Sequence, residues 1–149
     1  MSDDIGNRLP DDLFNILRNE DVTLEQGRVI LVNTIDGNGW PHSALLSYRE
    51  VFAFDQTNIL IVTYADSTTT RNMRANGKVT LNFVDERMSY YVKGSARENP
   101  AAPDGFAGMY VSVVSVLRDF TESDEAGAYI TTGMRFYNPW RGPRSTLES

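Results

Sequence analysis

Cysteine is absent from the 149 residues. With it go disulfide frameworks, thiolate zinc sites, iron–sulfur clusters and a cysteine nucleophile. Histidine occurs once, as His42, which disfavours both a Ser-His-Asp triad and a multi-histidine metal centre. No apolar run approaches the length needed to cross a bilayer, and the N-terminal MSDDIGNRLPDD lacks the basic and apolar regions of a signal peptide. Clustered cations are missing too: the net charge is −6 and the basic residues are scattered. A duplex-binding face needs such a cluster to displace counterions, so nucleic acid is a poor partner. These absences lead us to expect a soluble cytoplasmic protein with no membrane and no nucleic-acid partner. What is present, 41% hydrophobic and 11% aromatic residues, suffices for one core, so residues 1–149 are read as a single domain.

Along the chain, LPDDLFNILRNE begins with Pro10 and two acids, followed by Leu13, Ile16 and Leu17 at helical spacing. That is a short amphipathic helix with acids at its positive end. GRVILVNTI and WPHSALLSY flank a DGNG turn and read as a β-hairpin. NILIVTY is a strand, TTTRNMRAN a short helix stopped by Gly77, and KVTLNFVD with MSYYVKGSA a second hairpin around Asp85-Glu86-Arg87. ENPAAPDG is a loop. Beyond it Phe106, Met109, Tyr110, Val113, Val114, Leu117 and Phe120 fall on one helical face, predicting a third helix. GAYITTGMRFY predicts a last strand, and NPWRGPRSTLES an irregular tail. The expectation is a mainly β (α+β) fold: a six-stranded antiparallel split β-barrel with a few short helices, an open sheet with one helical face being the competing architecture.

The stretch YADSTTTRNMRANGKVTLNF places four hydroxyls and two arginines where a helix begins. The first N–H groups of a helix lack internal partners and lie at its positive end. Those amides, with Ser67, Thr68, Thr69, Thr70 and a charge from Arg71 or Arg74, suit an anion such as phosphate. The competing reading is that Asp66 and Ser67 cap the helix and the threonines are solvated.

The order of these pieces resembles the pyridoxamine 5'-phosphate oxidase-like, FMN-binding split-barrel family. That family has a "dG-x-P" hairpin, a strand ending in Thr near "S-R-K", "NP-x-V-x-L-x-F" and a strand ending in "G-x-A". The matching residues are Asp36, Gly39 and Pro41; Thr63 and Ser67; Asn76, Val79, Leu81 and Phe83; and Gly94 with Ala96. The resemblance spans Leu9 to Ala96. It implies a dimer holding FMN in a groove at its interface. Ser67 matches a phosphate ligand of the family, whereas Thr68 and Thr69 stand where the family has Arg and Lys. Arg71, or Arg49 after the preceding strand, would replace that charge. By the same resemblance Leu45 and Ser47 would offer main-chain groups to the flavin ring, Thr63 would lie alongside, and Ser89 would reach the cofactor from the second subunit.

A flavin carries electrons itself while the protein orients it and excludes water, which suits a sequence with no acid–base constellation. Asp11, Asp12, Asp85 and Glu86 read as solvated charges, and His42 as structural. Tyr90 and Tyr91 alternate faces of a strand, one for the core and one for a groove. Trp140 and Arg141 either fold over a bound flavin or belong to an irregular tail. The expected function is an FMN-dependent oxidoreductase acting on an unidentified small molecule. The alternative is a non-catalytic module that binds or sequesters flavin or deazaflavin.

Overall fold

The computed structural model describes residues 2–18, 25–119 and 128–137. Its strands are β1 (Ser2–Asp4), β2 (Val29–Ile35), β3 (Pro41–Ser47), β4 (Val51–Asp55), β5 (Asn58–Tyr64), β6 (Lys78–Val84), β7 (Ser89–Asn99) and β8 (Phe106–Asp119). The helices are α1 (Asp11–Arg18) and α2 (Thr68–Asn76), and a single 3-10 turn over Tyr48–Glu50 joins β3 to β4. All strand pairs are antiparallel, in the order β3-β2-β6-β7-β8-β5-β4, with β1 added against β8. The terminal strands β3 and β4 do not pair, so the curled sheet is a barrel left split between them.

One set of alternating residues fills the interior: Ile30 and Val32, Ile59 and Ile61, Val79, Leu81 and Phe83, and Met109 and Val111 are all buried. Leu9, Leu13 and Leu17 on and before α1 join this core, with α1 lying on β4. The spacing of those leucines and the acids of the first turn produce the helix expected from sequence.

Both expected hairpins are present, β2–β3 around Asp36 and β6–β7 around Asp85. Asp36 Oδ1 accepts from the amides of Asn38 and Trp40, and Gly39 takes φ +83° in that turn. Three expectations fail. The barrel has seven strands along its path rather than six, because VFAFD forms the short strand β4. Residues 106–119 are the longest strand, not a helix. Its run Ala107-Gly108-Met109 is buried on both faces, and this breaks the strict alternation and leaves apolar residues at helix-like spacing. Four valines and pairing on both edges favour the strand. Finally, residues 128–137 form no strand; they cross the start of β2 with one isolated bridge, Arg28 to Arg135. Phe120 and the tail with Trp140 and Arg141 lie outside the described residues.

Asp85 is not a solvated charge. It is buried, and its carboxylate meets Arg87 at 2.8 Å and Arg28 at 3.3 Å. Glu86 pairs with Arg28 at 2.6 Å, and this contact draws its carboxyl down to about 2. Asp12 receives the hydroxyl of Tyr90 at 3.0 Å. Tyr90 is the core-facing member of its pair, and Tyr91 reaches Asp119 at 2.8 Å from the other face.

Gly94 marks the register shift where β7 crosses β8. A Cβ there would stand 2.3 Å from Val111 Cγ1 and 2.9 Å from the Ser112 carbonyl oxygen, the latter a backbone atom that cannot swing away. Gly94→Ala is therefore expected to lower stability by about 1–3 kcal/mol, read by chemical denaturation. An unchanged midpoint would show that the crossing relaxes freely.

Candidate functional site

Ser67, φ −71° and ψ 153°, is the N-cap of α2, and its Oγ accepts from the Thr70 amide at 3.1 Å. Gly77, φ 71°, closes the helix with its N–H on the Met73 carbonyl, the left-handed stop that glycine adopts without strain. Thr70, fully buried, is the junction between α2 and β5. Its Oγ1 donates to the Tyr64 carbonyl at 2.7 Å and lies 2.6 Å from Thr63 Oγ1 and 2.9 Å from Ser67 Oγ. A hydroxyl has one proton and two lone pairs. Since the proton goes to a carbonyl that can only accept, Thr63 and Ser67 must both donate to Thr70. The hydroxyl protons of Thr63 and Ser67 are thus committed inside the protein. Farther along, Asn72 donates to Thr34 at 3.0 Å in a buried contact, and Asn76 to the Ile35 carbonyl at 2.8 Å, pinning the helix to β2.

The donors left at this helix start are the amides of Thr68 and Thr69, which have no intrahelical acceptor, and the hydroxyls of the same two residues. Thr69 is 4% exposed and its hydroxyl has no hydrogen-bond partner among the described residues. Arg71 folds back over the same turn, donating to the Asp66 carbonyl at 2.7 Å and to Thr68 Oγ1 at 2.9 Å. Arg74 does not contribute. Its guanidinium is held on Glu98, Nη2 to Oε2 at 2.6 Å, and the Glu98 carboxyl is correspondingly lowered.

Arg49 occupies the exposed middle of the 3-10 turn. Because β4 starts with Val51 opposite Ile61, that turn lies against the last residues of β5, from which α2 departs. Arg49, Thr63, Ser67, Thr68, Thr69 and Arg71 are thereby gathered at one end of β5.

β3 leads into this end as a free edge. Pro41, which has no N–H, pairs with Ile35, while the Asp36 amide bonds to the Trp40 carbonyl. Alternation of bonded and non-bonded pairs then turns the main-chain groups of Ser43, Leu45 and Ser47 away from β2. Ser47 offers no free proton, because Glu50 Oε1 accepts from both its amide and its Oγ, at 3.1 and 2.8 Å, and its carbonyl caps the 3-10 turn. The Leu45 side chain is 61% exposed.

Ser89 is not brought to this cluster. It pairs with Val84 at the far end of β6 from the α2 junction, about 20 Å away along seven strand residues. Among the described residues its Oγ is buried without a hydrogen bond of good geometry, and the Tyr91 hydroxyl lies close enough to be influenced by it. His42 sits partly buried on β3, opposite Thr34 of β2.

The sequence reading missed the internal role of Thr70 and the aromatic pair Tyr64–Phe106. The two rings stack at 5.5 Å beside the loop that begins α2, with Tyr64 71% exposed. The final outward position of a strand and its cross-strand neighbour was the available signal.

The model of the pyridoxamine 5'-phosphate oxidase family matches residues 18–131. The chain belongs to this family. The uncharacterized protein YclD of Bacillus subtilis (strain 168) is 29% identical over 98 residues, 66% of this chain and 64% of that relative. Among solved structures, a putative pyridoxamine 5'-phosphate oxidase from Lactobacillus delbrueckii superposes with a TM-score of 0.60 at 14% identity, over 76% of this chain and 97% of the other. HupZ of Group A Streptococcus gives 0.57 at 18%, over 72% and 91%. An F420 reductase gives 0.53 at 14%, over 72% and 98%. At these identities the structural matches establish the shared split barrel and no more.

The Thr70 junction carries a direct test. Thr70→Val removes one donor and two acceptor positions from a buried network, and should cost about 1–3 kcal/mol of stability, with Thr70→Ser recovering most of it. If the valine variant were as stable as the parent by denaturant titration, the hub would be dispensable.

Proposed function

We propose that the chain binds FMN and works as a flavin-dependent oxidoreductase on a small organic molecule, as a homodimer with the cofactor between subunits. The observation that carries this is the convergence, at the end of β5, of unpartnered helix-start donors with the free main-chain edge of β3. The residues present fit a flavin bearing a terminal phosphate. The Thr68 and Thr69 amides and hydroxyls, with Arg71 and Arg49, would hold the phosphate. The Leu45 amide and carbonyl would meet the ring along β3, with the remaining lone pair of the Ser47 carbonyl beyond them. The Ser89 hydroxyl lies too far from its own chain's α2 to join them and would act from the second subunit, which would also give its buried oxygen a partner.

When bound, a flavin supplies electron transfer. The protein's part is to fix the ring against the β3 edge, to donate a main-chain N–H to it and to exclude water. Thr63 and Ser67 support this indirectly by holding α2 on β5 through Thr70. The second reading, a binding module without turnover, is favoured by Thr68 and Thr69 standing where the family has Arg and Lys. Oxidation of a reduced nicotinamide or dye by the flavin-loaded protein separates the two.

Ser67→Ala is a poor probe, because loss of the cap alone costs about 1 kcal/mol. Thr68→Ala with Arg71→Met leaves the cap intact and should weaken FMN by about 1–3 kcal/mol, the cost of lost hydrogen bonds to a charged group. Quenching of flavin fluorescence measures this, and equal affinity of variant and parent would remove the phosphate from α2.

A further inference from the structure

Residues 128–137 dock on the barrel through main chain rather than side chains. None of them is buried, and Gly133 alone among them is partly covered. Tyr129, Ile130, Met134, Phe136 and Tyr137 are each between 42% and 81% exposed. The Val29 amide donates to the Met134 carbonyl at 3.2 Å and the Phe136 amide to the Gly27 carbonyl at 3.0 Å, on either side of the Arg28–Arg135 bridge. The segment thus fills the place beside the start of β2 that β6 leaves open, since β6 pairs with β2 only from Leu31 to Thr34. Gly133 rests on the end of β6, where a Cβ would stand 2.6 Å from the Val84 carbonyl oxygen and 2.7 Å from Asp85 Cβ. Val84 pairs with Ser89, so the segment borders the rim on which Ser89 stands.

Local stability follows buried contacts, and a segment that keeps its apolar side chains in water opens at a free energy well below that of global unfolding. What it sits on is a cluster of charges. Asp85, directly under Gly133, meets Arg87 at 2.8 Å and Arg28 at 3.3 Å. Arg87 also holds Glu25 at 2.8 Å, and Arg28 holds Glu86 at 2.6 Å. Such pairs are strong only while water is kept from them. The segment and the cluster share two contacts, Gly133 on Asp85 and Arg135 on Arg28. Opening therefore wets the Asp85 pairs, and breaking those pairs removes the seat of the segment.

We propose that residues 128–137 are a clasp that opens as a unit while the barrel stays folded, with the Asp85 cluster as its catch. Its two states cover and uncover the seam between the start of β2 and the Ser89 rim. The inference needs no ligand and stands apart from the cofactor reading.

Amide hydrogen exchange on the full-length protein tests it. Val29 and Phe136, whose amides are bonded across the clasp, should share one protection factor, at least about 100-fold below those of Val32 and Val111 in the core. Gly133→Ala, which sets a Cβ against Val84, should lower the clasp factors by about 10-fold or more and leave the core factors unchanged. Asp85→Asn should lower the clasp factors at least as far. Where that variant does not fold, Glu86→Gln at the exposed edge of the cluster should still lower them by about 3-fold. Protection of Val29 and Phe136 equal to that of Val32 and Val111 in the parent would overturn the clasp, as would two unrelated factors for Val29 and Phe136. A Gly133→Ala effect shared equally by the core would also overturn it. Clasp factors untouched in Asp85→Asn and in Glu86→Gln would remove the cluster as the catch.

Discussion

One hydroxyl proton organises this end of the barrel. Thr70 Oγ1 gives its proton to the Tyr64 carbonyl and accepts from Thr63 and Ser67, so three polar groups of β5 and the α2 cap are satisfied by a single buried atom. Buried polar groups left unpaired cost far more than paired ones contribute, and the arrangement therefore fixes where α2 starts. The position of every donor of the first turn follows from it. Ser67, which matches a ligand position of the family, has its hydroxyl proton committed to Thr70, and in the function proposed above the anion would fall to its neighbours Thr68, Thr69 and Arg71.

The split between β3 and β4 sets the second constraint. An edge strand exposes main-chain donors and acceptors that must find partners. On β3, Glu50 occupies the Ser47 amide, while the main-chain groups of Leu45 have no partner among the described residues. A planar ligand with ring acceptors and donors is a chemically apt partner for such an edge. Ser89 holds a buried hydroxyl with no hydrogen-bond partner of good geometry among the described residues, and in the function proposed above a second subunit's ligand would supply one.

Much of this was legible in the residues. The DGNG turn, the alternation of KVTLNFV and the Gly77 stop all act locally, through turn geometry and side-chain period, and each formed the element expected. Ser67 as cap was equally local. What escaped were features set by tertiary pairing. Phe106 to Asp119 looks helical because Ala107, Gly108 and Met109 are buried together between neighbours, which no local pattern reveals. Asp85 reads as a turn charge until Arg28, far away in sequence, is folded onto it. The segment 128–137 is apolar enough for a strand, yet Gly133 runs so close to the Val84 carbonyl that a Cβ would sit 2.6 Å from it, and it forms one bridge instead of a ladder. At the start of α2 the residues named from sequence do lie together, except Ser89, but the commitment of the Ser67 proton to Thr70 depends on tertiary contacts that no local pattern reveals.

In the proposed dimer the α2 donors of one copy and Ser89 of the other would complete a single flavin site. Complementation between two variants tests it most directly. Thr68→Ala with Arg71→Met disables one half, and Ser89→Leu the other. Each alone should bind FMN poorly, whereas coexpression in equal amounts should restore about a quarter of the sites, since half of the dimers are mixed and each holds one intact site. No recovery in a demonstrated mixed dimer would contradict the account and confine the site to one chain.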